Sequence, residues 1–187
     1  PHIMLERFRI KDNGKKDYTG IPFKKEYLEG LGAKFHFKRE FCKITDNIYL
    51  SGEVPRETSY EEGDLKGRFA IIDGKECKDY ILDDLSLIID LPEGLVVLLG
   101  CAHSGIINIL NHSIKMTQKD KFIAVLGGTH LGYSSKLQLE ETIKALKGFN
   151  IEKIGASHCT GMEPGARLYK EFGEKVLFFC VGSHFEI

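Results

Sequence analysis

Apolar residues follow one rhythm after Leu95 and another before it. From Leu95 on they come in strand-length runs, each followed by helically spaced apolar positions. Leu95–Leu99 stops at Gly100 and leads to Ile106, Ile107, Leu110 and Ile114, which predicts a helix over about 106–117. Phe122–Leu126 stops at Gly127-Gly128. It precedes a helical pattern over 135–147, with Leu139, Ile143 and Leu146 on one face, Ser134 or Ser135 as N-cap and Gly148 as stop. The run 151–155 precedes a third helix over 164–172, opened by Pro164, and a strand over 176–181 closes the chain. Strands alternating with helices predict α/β layers.

Before Leu95 the pattern is less regular. Residues 1–40 are polar and basic, and are expected to form loops with a short helix near Phe23–Leu31. The run 44–50 reads as a strand ending in Ser51-Gly52-Glu53-Val54-Pro55-Arg56, and 69–72 as a short strand. The acidic stretch 58–67 reads as a solvated, mobile loop. Leu85–Asp90 and Leu95–Leu99, joined by Leu91-Pro92-Glu93-Gly94, form a β-hairpin. The 187 residues are expected to form a single domain, 1–187, of α/β class with an antiparallel first part.

Composition narrows the partners. Hydrophobic residues make up 42% and charged residues 28%, and 26 basic against 27 acidic side chains leave a net charge of -1. No strong field draws the chain to nucleic acid or to an anionic membrane. The apolar runs are too short to span a bilayer, and no signal peptide is visible at the N-terminus. The five cysteines are odd in number and lack a C-x-x-C pair, which argues against a disulfide framework and for a reducing, cytoplasmic setting.

Three of the apolar runs end in small residues and then a histidine: Gly100-Cys101-Ala102-His103, Gly127-Gly128-Thr129-His130 and Gly155-Ala156-Ser157-His158. Loops at one end of a sheet can bring imidazoles from separate elements around a metal ion, and the small neighbours leave room for it. His103, His130 and His158 are therefore the candidate metal ligands. Cys101 and Cys159 flank two of them and are read as small buried fillers rather than soft ligands, because neighbours at a strand end point in different directions. His112 lies inside a helix and is not a candidate. Glu53 and Arg56 are the candidate substrate-binding residues, Arg56 as an anion clamp.

Gly100-Cys101-Ala102-His103-Ser104-Gly105, Gly127-Gly128-Thr129-His130-Leu131 and Ser157-His158-Cys159-Thr160-Gly161, in this order, resemble the metallo-β-lactamase-fold superfamily. Within it they are similar to the dihydropterin ribofuranosyl-aminobenzene phosphate synthase-like branch. The segments at Ser51–Arg56 and Asp83–Leu87 match that branch as well. The resemblance implies an αββα sandwich with mixed sheets, outer helices and metal, often zinc, at one sheet edge. It makes His103 and His158 ligands, with His130 standing where many members carry an aspartate.

The superfamily's His-x-His-x-Asp-His string occurs nowhere in the 187 residues. The resemblance therefore implies the C-terminal portion of the fold. The implied function is metal-dependent hydrolase-like chemistry on an ester, phosphoester or pterin-type small molecule, impaired in this chain alone. One or two zinc ions, or another divalent metal, are expected in the complete fold. The expected partner is a second copy or a separate chain carrying the missing motif. The alternative is a non-catalytic partner subunit or ligand-binding remnant.

Overall fold

The computed structural model describes residues 2–186. The chain packs as two compact units: Pro1–Arg39 with Leu65–Asp83, and Glu40–Asp64 with Asp84–Ile187.

The second unit is built on a seven-stranded mixed sheet. Its strands are β3 (Cys42–Thr45), β4 (Ile48–Leu50), β7 (Ser86–Leu91), β8 (Gly94–Leu99), β9 (Lys121–Gly128), β10 (Asn150–Ser157) and β11 (Val176–Phe178). They lie in the order β11-β10-β9-β8-β7-β4-β3. Strands β8 to β11 run parallel, and β7, β4 and β3 add antiparallel neighbours on one side. Three helices follow the parallel strands: α2 (Ile106–Thr117), α3 (Lys136–Leu146) and α4 (Met162–Phe172).

Alternation along the strands sorts the core into two faces. Leu95, Val97 and Leu99 of β8, with Phe122, Val125, Ile151 and Ile154, pack with Ile106, Ile109 and Leu110 of α2, Ile143 and Leu146 of α3 and Leu168 of α4. Val96, Ile123, Ala124 and Leu126 form a smaller cluster with Leu98 and Phe179. Strands buried on both faces read as continuous apolar runs, which is why these were the clearest elements in the sequence. Ser135 caps α3 by accepting from the Gln138 N–H at 3.1 Å.

The first unit carries an antiparallel sheet in the order β2-β1-β5-β6: β1 (Arg7–Ile10), β2 (Lys16–Tyr18), β5 (Arg68–Ile72) and β6 (Lys75–Lys78). It also holds the short helix α1 (Lys25–Gly30). Arg7 is 7% exposed. Its guanidinium binds both carboxylate oxygens of Asp83, one at 3.0 Å, and its Nε lies 3.4 Å from Asp79.

Three expectations are corrected and one strand is added. Residues 1–40 are not loops around one helix, since β1 and β2 form a hairpin there. Their burial rests on Phe8 and the ion-paired Arg7, a charged residue that hydrophobic periodicity discounts. The single strand expected over 44–50 is two, β3 and β4, folded back at Asp46-Asn47, residues that favour turns. The added strand, β6, is Lys-Glu-Cys-Lys, mostly charged and without an apolar signal. The loop around Glu61 is not merely solvated: Glu61 is 2% exposed.

Candidate metal centre

The parallel strands β8, β9 and β10 end side by side, and each turns immediately through a residue in left-handed conformation. These are Ala102 (φ 53°), His130 (φ 57°) and His158 (φ 50°), three of the six non-glycine residues with positive φ among those described. Such backbone is disfavoured for L residues and clusters where surrounding structure enforces it, often at functional sites.

Carboxylates and hydroxyls hold the three loops. Asp84 accepts from the His103 N–H at 2.6 Å and from the Cys101 N–H at 3.1 Å, fixing the first loop from beneath. Thr160 Oγ1 accepts from the Thr129 N–H at 3.2 Å and from the Thr129 hydroxyl at 3.0 Å, joining the second loop to the third.

Beside the first loop, both oxygens of Glu61 accept hydrogen bonds at 2.9 Å, from the N–H groups of Ile107 and Asn108 at the start of α2. Gly105 (φ 97°) permits this, because a Cβ there would fall inside the Glu61 side chain. Burial pushes the Glu61 carboxyl up to about 7, outweighing the two backbone hydrogen bonds and the attraction of Arg56.

Loop 51–61 is fastened to the same helix. Asn108 Oδ1 accepts from the N–H groups of Glu57 (3.0 Å) and Thr58 (2.9 Å) and from the Thr58 hydroxyl (2.8 Å). His112 Nε2 lies 2.9 Å from the Ser51 carbonyl, so this helix histidine ties the loop to α2.

Of the three candidate histidines, His103 and His130 meet, with ring centroids 4.2 Å apart at an angle of 55°. His130 is 6% exposed, and its Nε2 is buried with no hydrogen-bond partner among the described residues. His158 opens the single 3-10 turn after β10 and is exposed at the rim. The absence of a side chain on Gly128 makes room beside it, since a Cβ there would lie 3.1 Å from His158 Cδ2.

The cysteines come closer together than the sequence reading placed them. Cys101 Sγ is 3.3 Å from His130 Nδ1 and 3.1 Å from Cys159 Sγ, and Cys159 Sγ accepts from the His130 N–H at 3.2 Å. Donor atoms of Cys101, His130 and Cys159 all lie within 4.8 Å of one another. Cys101 follows β8 and Cys159 follows β10, so the thiols meet across the end of β9. Gly128 on β9 permits it, because a Cβ there would stand 2.8 Å from Cys159 Sγ and 2.9 Å from the Gly100 carbonyl oxygen. The Cys101 and His130 hydrogen bonds hold the Cys159 thiol well below the usual thiol range against the opposing effect of burial. The signal for this trio was the repeated cysteine–histidine neighbourhood. Strand alternation argued against it because it ignores the turn that follows each strand.

Arg56 is half-buried near Asp84 and Glu61. Burial lowers its pKa, while the two carboxylates raise it. Glu53 lies on the same loop, partly buried.

An imidazole nitrogen with no hydrogen-bond partner among the described residues, two thiols and a second imidazole, beside the bare Gly128, suit a divalent metal ion.

No protein-family model matches the chain. It is 32% identical over 152 residues to the dihydropterin ribofuranosyl-aminobenzene phosphate synthase of Methanocaldococcus jannaschii, covering 80% of this chain and 52% of that protein. An uncharacterized protein of the same organism is 36% identical over 152 residues, covering 81% of this chain and 55% of that one. The chain thus spans about half the length of the curated relatives it matches. A crystal structure of a metal-dependent hydrolase of the β-lactamase superfamily superposes with a TM-score of 0.79 at 26% identity, over 98% of this chain and 68% of that one. The motif order, the mixed sheet with its flanking helices and these relatives agree: the chain is a relative of the dihydropterin synthase and has the fold of the metallo-β-lactamase superfamily.

Proposed function

We propose that the edge formed by β8, β9 and β10 is a metal centre for hydrolase-like or Lewis-acid chemistry on an ester, phosphoester or pterin-type small molecule. The observation that carries this is the buried, unpartnered Nε2 of His130 against the ring of His103, at the end of parallel strands. A divalent ion held there, zinc by preference, would supply Lewis-acid chemistry toward water or toward a carbonyl or phosphoryl oxygen.

The chain's own residues do the rest. His103, His130 and His158 bind, and Asp84 orients the His103 loop. His158, exposed at the rim, faces the incoming substrate. Glu53 and Arg56 lie on the loop pinned to α2, where they contact substrate. Asp84 and Glu61 already offset the charge on Arg56, so a substrate anion competes with them for it.

The His-x-His-x-Asp-His string is absent from this sequence, so the chain alone turns over substrate weakly. Full activity draws on those donors, supplied from outside these 187 residues. The protein partner is either a second copy, as a homo-oligomer, or a separate chain that carries the missing portion, and the five cysteines support a reducing cytoplasm as the setting.

Zinc content after dialysis tests the reading. About one ion per chain, lost in His130→Ala, is the expected result for a three-ligand site. A chain that folds and retains no zinc, or zinc unaffected by His130→Ala, overturns it. The first of these outcomes favours the second reading, a non-catalytic partner or ligand-binding module, which the missing motif also supports.

A further inference from the structure

We propose that Cys101 and Cys159 are themselves metal ligands, forming with His130 a two-thiolate, one-imidazole set. This set would select a thiophilic ion such as zinc over magnesium or manganese. The inference rests on the reading of this edge as a metal centre and adds which atoms hold the ion.

Three observations carry it. Cys101 Sγ lies 3.1 Å from Cys159 Sγ and 3.3 Å from His130 Nδ1, within the spacing that donors about 2.0–2.3 Å from a single ion can have. The thiols come from strands separated by β9, and only the bare Gly128 lets them meet. The cluster is mostly buried, with Cys159 9% and His130 6% exposed and Cys101 partly buried, yet it holds two sulfurs and an imidazole rather than hydrocarbon. Filler cysteines need no such convergence. Thiolate and imidazole donors favour zinc and its neighbours, whereas magnesium and manganese take oxygen.

Cobalt(II) titration of the metal-free 187-residue chain separates the possibilities. The expected result is one equivalent bound, with thiolate-to-cobalt charge-transfer absorption in the near ultraviolet. That absorption falls by about half in Cys101→Ser and in Cys159→Ser, as expected when two sulfurs contribute equally. It persists in the control Cys42→Ser. Zinc displaces the cobalt, and excess magnesium does not.

A second readout needs no variant. Bound zinc should protect Cys101 and Cys159 from iodoacetamide, read by peptide mass, while Cys180 stays reactive. Cobalt bound with visible absorption but no charge transfer, and no protection of these thiols, overturns the inference and leaves a histidine-held metal centre standing. Absence of any bound cobalt overturns both.

Discussion

At the residue scale the centre depends on one missing methyl group. Gly128 leaves the gap through which Cys159 reaches Cys101. Gly128→Ala should cost about 1–3 kcal/mol by overpacking and weaken zinc retention, read by thermal unfolding and metal content. Glycine-to-alanine replacement at the exposed Gly30, where a Cβ meets nothing within 4 Å and φ is not positive, serves as the comparison for side-chain bulk. The histidines were legible in the sequence because each ends an apolar run. Their geometry was not, because it depends on left-handed turns at His130 and His158 that no hydrophobic pattern reports. Asp84 was visible only as half of an acidic pair. Its use as a seat for two backbone N–H groups depends on the neighbouring loop.

At the scale of elements, loops are fixed by side chains reaching in from other segments. Asp84→Ala removes the acceptor for the N–H groups of His103 and Cys101. It should lower zinc affinity about 10- to 100-fold, as loss of ligand-supporting contacts does, while far-ultraviolet circular dichroism stays unchanged. In the antiparallel sheet, Arg7→Ala removes the buried guanidinium that Asp79 and Asp83 share. It should destabilise β1 and β5 by about 3–5 kcal/mol, seen as faster amide exchange in those strands. The long strands β8 to β10 and helices α2 to α4 could be read directly, since burial on both faces or on one stripe leaves an uninterrupted record. Strands β1, β2 and β6 could not, because charged residues and short length erase the alternation.

At the scale of the whole molecule, Glu61 links stability to pH. Its carboxyl is held at about 7, against 4.5 as the ordinary value. A group bound more tightly to its proton in the folded state stabilises fully below the unfolded value. Stability therefore falls as pH rises from about 4.5 to 7, by at most about 3 kcal/mol, and levels off above. Glu61→Gln should flatten that slope in denaturant titrations at several pH values. Its amide can accept from only one of the two N–H groups, at a cost of about 1–3 kcal/mol at all pH values. The buried placement of Glu61 has a further consequence for recognition. The positive pole of α2, ordinarily a natural seat for phosphate, is capped from within by the protein's own carboxylate. An anionic ligand arriving beside His103 therefore gains nothing from that helix and is left to the Arg56 guanidinium and to any cation seated at the strand ends.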